Sequence, residues 1–317
     1  MKRIFLLSII SALTFSLSFG APSKSKARKA SAAELFVMAK AAFYDYEFEE
    51  AADLLEEYQS MQAKAKKPLD ENFDKLVEAV NIATNAFDRV QKIVVVDSID
   101  MPRAAFFKAF RLADSAGRVN RVKDFSLPFG TDNEEVGFIS EGKDFILTSE
   151  TGQDGSLKLV EYQALLDGTW EKQDALRGDI EFDGDYAFPF LNGDGQTIYF
   201  ANNGNQSIGG YDIFVAQKDP LTGEILQPLN VGMPFNSPYD DLMMVIDEET
   251  GVGWWATDRN DPGNHVTIYV YILDETRKNY PADTENLVEL AKLKDYKATW
   301  EVGREDNYKK LLDTLPK

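Results

Sequence analysis

Cysteine is absent from this 317-residue sequence, and histidine occurs once, as His265 in a loop between Asn264 and Val266. No disulfide can staple the fold, no lipidated cysteine can follow a leader, and no thiolate is available as nucleophile or metal ligand. A lone histidine leaves no conventional zinc set and argues against a Ser-His-Asp arrangement. Basic residues are scarce too: 34 Lys and Arg stand against 53 Asp and Glu, a formal net charge of -19. Phosphate binding needs a basic surface that this composition does not supply, so a nucleic-acid partner is not expected. The acidic surplus serves solubility.

Long apolar runs are missing as well, apart from Ile4 to Leu17, which follows Lys2-Arg3 and leads into Ser18-Phe19-Gly20. Serines interrupt this run and it is short for a membrane span, so residues 1–20 read as a secretory signal peptide cleaved near Gly20. Loss of Lys2 and Arg3 would move the net charge from -19 to -21. Residues 21–30 form a basic linker, where Lys24, Lys26, Arg28 and Lys29 sit among Ser and Ala. It reads as a tether, with weak contact to an anionic membrane surface as its sharper use.

What is present is a recurring hairpin. Asp194-Gly195 supplies a tight turn before the β-rich run Thr197 to Phe200, and Gly209-Gly210 folds the loop back into Tyr211 to Phe214. Fifty-five residues on, Val252 to Thr257 aligns with Thr197 to Asn202, and Val266 to Val270 with Tyr211 to Val215. Fifty-three residues upstream, Phe145 to Thr148 falls on Ile198 to Ala201, and Leu157 to Val160 follows after one further residue of slippage. An apolar strand precedes each hairpin, at Val136 to Ile139, Tyr186 to Phe190 and Leu242 to Ile246. Three or four short strands in each unit of about fifty residues match the spacing of a β-propeller blade. The units lie near 134–180, 185–235 and 240–280 of a β region spanning 93–282.

Three pieces of the middle unit, Asp194 to Phe200, Gly209 to Phe214 and Leu229 to Ser237, resemble the repeat of TolB-type, WD40-like β-propellers of the bacterial cell envelope. The most similar subfamily joins a tetratricopeptide-like helical segment to the propeller. The first unit departs from the pattern with Gly155-Ser156-Leu157-Lys158 and the third with His265-Val266-Thr267. The resemblance implies a protein of the periplasm or the periplasmic face of the outer membrane. Such a protein works by protein-protein interaction or scaffolding with other envelope proteins, without enzymatic activity or cofactor.

Residues 31–92 carry a helical period. Ser31 and Glu34 form a capping-box pattern, and Leu35, Met38, Ala39, Ala42 and Phe43 share one face. Phe48, Ala51, Ala52, Leu55 and Tyr58 line a second helix, with Ala39 and Ala51 as the close-packing pair of one tetratricopeptide-like unit. A third helix, capped by Asp70, runs to about Gln91. At Ile93 to Val96 the pattern turns to strand, which is expected to pair the start of the β region with its end. Ala104 to Leu112 reads as a short aromatic helix. The expected class is α+β multidomain: a helical domain, a propeller-like domain of about four blades, open or small, and helices over 283–317.

The residues that stand out have structural readings first. Asp194, Gly195, Gly209 and Gly210 make turns, Tyr199, Tyr211 and Asp212 pack or bond within a blade, and Asn236 and Asp241 hold the turn into the next unit. Of Trp254 and Trp255, one indole is expected on each sheet face, with one available as an exposed platform. The rival function is a glycan-binding or glycoside-hydrolysing propeller that uses the acidic inter-blade loops. These hold Asp183 and Asp185, beside Asp179 and Glu181, and Asp240-Asp241 at the matching place one unit on. Calcium could also meet such carboxylates, but Asp183-Gly184-Asp185 is too short for a helix-loop-helix calcium loop.

Overall fold

Among the described residues two antiparallel helices come first, α1 (Ala32–Tyr44) and α2 (Phe48–Ala65), followed by α3 (Phe73–Phe87). The computed structural model describes residues 30–175, 182–274 and 276–316, and residues 32–317 form one compact unit. The expected signal peptide with Gly20, the basic residues Lys24, Lys26, Arg28 and Lys29, and Asp179 and Glu181 lie outside the described residues. Ala39 and Ala51, both fully buried, let α1 and α2 approach closely. Tyr58 fills the space above, 5.0 Å from the Phe36 ring and 5.6 Å from Phe73. Several helical details differ from expectation: Ala52 is exposed, one step round α2 from the buried Ala51, and α3 ends at Phe87, short of Gln91. Met38 points outward, because Phe36 takes the inner position against Tyr58. Asp70 does not cap α3: it accepts the Asn72 amide at 3.0 Å in a side-chain turn, and the helix begins three residues later.

The β region forms three antiparallel sheets. The first holds β2 (Arg118–Arg121), β3 (Val136–Ile139), β4 (Phe145–Thr151), β5 (Leu157–Ala164) and β6 (Trp170–Asp174), hydrogen-bonded in that order. The second holds β7 (Tyr186–Leu191), β8 (Thr197–Asn202), β9 (Asp212–Gln217) and β10 (Leu229–Asn230). The third runs β11 (Asp241–Asp247), β12 (Val252–Thr257), β13 (His265–Ile272), with β1 (Val95–Pro102) on its outer side. The chain is therefore α+β, with N-terminal helices and three antiparallel sheets. About four blades were expected; the described residues form three sheets, because residues 93–130 give β1 to the third sheet and β2 to the first.

Strand pairing follows the sequence offsets. Tyr199 faces Val215 and Phe200 faces Phe214, while fifty-five residues later Trp254 faces Val270 and Trp255 faces Tyr269. In the first sheet Ile146 faces Tyr162 and Ser149 faces Leu159. The offset there is fifty-three on both strands, so the expected slip of one residue is absent. A slip would have turned every side chain of β5 to the wrong face, and burial forbids it. At the matched positions Leu147, Phe200 and Trp255 are all buried, as are Ser149, Asn202 and Thr257.

The start of the β region pairs with its end: Ser98 lies opposite Tyr269 and Pro102 opposite His265, which is part of β13 and not of a loop. A 3-10 helix, Arg103–Ala109, then crosses from the third sheet to the first. Its Phe106 and Phe107 are buried in the core that the sheets share, and Phe106 meets Phe188 of β7 edge-on at 5.6 Å. Two further helices, α4 (Leu287–Lys292) and α5 (Glu305–Thr314), fold back on this body. Trp300, between them, donates its indole N–H to the Val95 carbonyl at 2.6 Å. Lys292 of α4 lies 3.7 Å from Asp45 and over the Tyr46 ring, tying α4 to the end of α1. Among the described residues no helix is long and apolar enough to cross a membrane.

Candidate functional site

The acidic positions ahead of β7 and β11 are where sequence and geometry meet most closely. Asp185 accepts the Leu157 amide at 2.8 Å, and Asp240, fifty-five residues later, accepts the Tyr211 amide at 3.0 Å. Each carboxylate thus reaches back from its own sheet to the start of a strand in the sheet before it, Leu157 opening β5 and Tyr211 standing just ahead of β9. The matching continues on the donor side: the Asp185 amide bonds Asn203 Oδ1 at 2.7 Å, and the Asp240 amide bonds Asp258 Oδ1 at 3.0 Å. Asn203 and Asp258 are also fifty-five residues apart. Gly210 makes the second staple feasible, since a Cβ there would lie 1.9 Å from Asp240 Oδ1. Arg103, at the start of the 3-10 helix, closes the set by donating to Asp240 at 2.7 Å and to Asp258 at 2.8 Å.

Tyr211 stands between the two staples. Its hydroxyl lies 3.5 Å from Asp185 Oδ2, and its ring meets Phe188 edge-on at 5.9 Å. Burial, and then the charges of Asp185, Asp240 and Glu135, push its phenol well above the usual tyrosine range. Glu135 is itself pushed up by burial and by the Asp185 charge, with Arg121 opposing. Phe188 occupies a left-handed backbone conformation, φ 52°, inside the bulge of β7.

The structure therefore brings Asp185 and Asp240 to either side of Tyr211 and gives the other two candidate carboxylates different partners. Asp183 is exposed and accepts the Asn205 amide at 2.7 Å. Asp241 is fully buried, accepting from Arg259 and from the Ser237 hydroxyl, each at 2.8 Å. Among the described residues no three Asp, Glu or His side chains are grouped to hold a metal ion.

The remaining motif residues hold turns and strands. Asp194 accepts the Gln196 and Thr197 amides, each at 2.8 Å, and the Thr197 hydroxyl, with Gly195 at φ 68°. Burial raises its carboxyl, but those donors outweigh burial and leave it below the ordinary range. Gly209 lies against the Pro238 backbone, where a Cβ would come within 2.5 Å. Asp212 is fully buried and receives the Ile208 amide at 2.9 Å and Asn230 Nδ2 at 2.7 Å. Burial, then the Asp241 charge, pushes its carboxyl up to about 8. Asn236 behaves like one more strand residue: its side chain accepts the Ile213 amide and donates to the Ile213 carbonyl, both at 2.8 Å. Tyr199 is partly buried on β8. Trp254 and Trp255 are both completely buried, which removes the expected exposed platform. Phe110 covers one indole at 6.3 Å, and Phe235 with Tyr269 covers the other at 5.1 and 4.8 Å.

One central residue gave no signal in the sequence. Arg259 is buried and donates to the carbonyls of Pro234 at 2.9 Å and Phe235 at 2.7 Å, to Thr257 Oγ1 at 3.0 Å and to Asp241. Burial alone would lower its affinity for the proton; the Asp241 carboxylate outweighs that and keeps the guanidinium charged. No protein-family model, curated protein or solved structure matches the chain.

Proposed function

We propose that this chain is an exported, non-enzymatic scaffolding or protein-protein interaction module of the cell envelope, an open, three-unit version of the TolB-type propeller with tetratricopeptide-like helices in front. It would work in the periplasm or on the periplasmic face of the outer membrane, with other envelope proteins as partners. One observation carries the reading: the repeated carboxylates are occupied by backbone amides of the neighbouring sheet, so the residues best placed for chemistry serve as joints. A joint repeated at a fixed offset supports a rigid body that presents surface.

The rival, a glycan-binding or glycoside-hydrolysing propeller using Asp183, Asp185, Asp240 and Asp241, has one observation in its favour. Asp185, Asp240 and Glu135 gather around Tyr211. Against it, Asp185 and Asp240 already accept amides, and Asp241 is buried against Arg259. The deciding experiment pairs capture of partners from envelope extract by the tagged chain with a glycan-hydrolysis and glycan-binding assay on D183N and D185N. Scaffolding expects a stoichiometric envelope partner and glycan behaviour indifferent to both changes. Glycan hydrolysis or binding that disappears in D183N or D185N, with the fold retained, would overturn it.

A further inference from the structure

A cavity of about 290 Å³ opens at the outer end of the first sheet, lined by Pro128, Phe129, Tyr162, Gly168, Thr169 and Trp170. Strand pairing builds its floor. Tyr162 lies opposite Lys172 and Ala164 opposite Trp170, so Tyr162, Trp170 and Lys172 share one face of β5 and β6. Phe129 leans in from the loop before β3, stacked on Tyr162 at 5.3 Å and edge-on to Trp170 at 5.5 Å. Three aromatic rings thus converge on one bowl, near the lower limit of about 300 Å³ for pockets that hold small ligands.

Charge narrows the ligand. Glu150 accepts from the Tyr162 hydroxyl and pairs with Lys172 at 2.6 Å, so both charges at the floor are matched. Among the described residues no unpaired cation lines the cavity to hold a phosphate or carboxylate. A quaternary ammonium is disfavoured too, because Lys172 already sits 5.8 Å from the Tyr162 ring centre. Asp167, at the rim, is occupied by the Thr169 amide at 2.9 Å and hydroxyl at 2.6 Å. The indole N–H of the partly exposed Trp170 has no hydrogen-bond partner among the described residues. The bowl therefore offers aromatic faces, a floor whose charges are paired, and the Trp170 N–H as donor.

The geometry points to a neutral saccharide as the ligand, one pyranose residue lying with its C–H face on the Phe129 and Trp170 rings, Tyr162 backing Phe129 from behind, and a hydroxyl oxygen on the Trp170 N–H. The other neutral ring-bearing ligand, a proline-rich peptide, repeats every ~9 Å along its helix and needs a row of aromatic slots, whereas these rings meet in one place. The site lies apart from the acidic loops ahead of β7 and β11, and it rests neither on the scaffolding reading nor on its rival.

The test uses the whole chain carrying fluorinated tryptophan, titrated with methyl β-glucoside, N-acetylglucosamine, chitobiose and, separately, an oligoproline peptide, and followed by fluorine NMR. W170F assigns the Trp170 signal among the four tryptophans. At least one sugar is expected to shift the Trp170 signal in a saturable way near about 1 mM, leaving the buried Trp254 and Trp255 signals unmoved. F129A should weaken that binding about tenfold, and D185N should leave it intact. Should F129A fail to fold, the wild-type titration decides alone. Absence of a saturable Trp170 shift with every sugar, or saturation by oligoproline in place of sugar, overturns the assignment. So does loss of binding in a folded D185N.

Discussion

The Asp240 carboxylate holds the Tyr211 amide at 3.0 Å across the junction between the third and second sheets, and Gly210 beside it leaves the room that the contact needs. The same oxygen-to-amide joint recurs between Asp185 and Leu157. Hydrogen bonds to a charged acceptor contribute about 1.5–3 kcal/mol where they are partly shielded from water. D240A, which also leaves Arg103 with Asp258 as its one carboxylate partner among the described residues, is expected to lower unfolding free energy by that amount. G210A should cost at least as much, because its methyl would displace Asp240 Oδ1. Urea unfolding of each variant measures this, and hydrogen exchange at the Tyr211 amide should rise in both. An unchanged midpoint for D240A would mean that the joint carries no load.

Arg259 and Asp241 form the buried ion pair behind that junction, 2.8 Å apart and both almost wholly enclosed. Taking one charge out of such a pair leaves the other unsatisfied and costs about 3–5 kcal/mol, more than the pair contributes over an apolar replacement. D241N and R259M are each expected to be strongly destabilised, D241N more so because the Arg259 fork keeps only neutral acceptors. The double variant D241N with R259M should recover part of the loss. A double-mutant cycle by thermal unfolding tests this, and simple additivity of the two single losses would contradict the pairing.

Hairpin architecture was legible because it leaves a local, periodic trace. The offset of fifty-five set not only which strands match but which residues face each other, Tyr199 with Val215 and Trp254 with Val270. The pairing of the first strand with the last was legible from the β-branched run at Ile93 to Val96, although the strand begins at Val95 and runs on to Pro102. The sheet count was not, because a four-residue strand such as Arg118–Arg121 carries no alternation that distinguishes it from loop. Trp254 and Trp255 misled for a different reason. Alternation puts them on opposite faces, but whether a face meets solvent depends on Phe110 and Phe235, which come from distant segments. Arg259 is the extreme case: its partners Pro234, Phe235 and Asp241 converge only after three connections have folded. At the junctions the carboxylates were visible as repeats, while their acceptance of amides from the preceding sheet needed the register between sheets.

Asp212 makes stability depend on pH. Its folded carboxyl is raised to about 8 by burial and by the Asp241 charge, from an ordinary value near 3.8. The folded state therefore holds a proton that the unfolded state has released, and the stabilisation is full below about pH 4 and lost as pH rises towards 8. Asp258 and Glu135, also raised by burial, act in the same direction. The melting temperature is expected to fall between pH 5 and pH 8. In D212N that fall should be smaller, even though the substitution lowers stability at both values by disturbing the bond to Asn230. Melting curves of the two proteins at the two pH values decide it, and an equal drop in both would remove Asp212 as the cause.

β1 is the outer strand of the third sheet, so the edge of that sheet has to be covered. The C-terminal segment does this by mimicking a paired strand at one residue: Thr299 Oγ1 accepts the Val95 amide at 3.0 Å and Trp300 Nε1 donates to the Val95 carbonyl at 2.6 Å. The Trp300 ring, held by Tyr308 at 5.4 Å, then lies against the same strand. W300F keeps most of the packing and loses one hydrogen bond, an expected cost of about 1 kcal/mol. W300A loses the ring as well, an expected cost of about 3 kcal/mol. Removing residues 296–317 bares the edge, and the truncated chain is expected to self-associate through β1 at concentrations where the full chain does not. Light scattering over a concentration series checks this. A truncated chain that remains as dispersed as the full one would show that β1 needs no cover, and W300A would then owe its loss to packing alone.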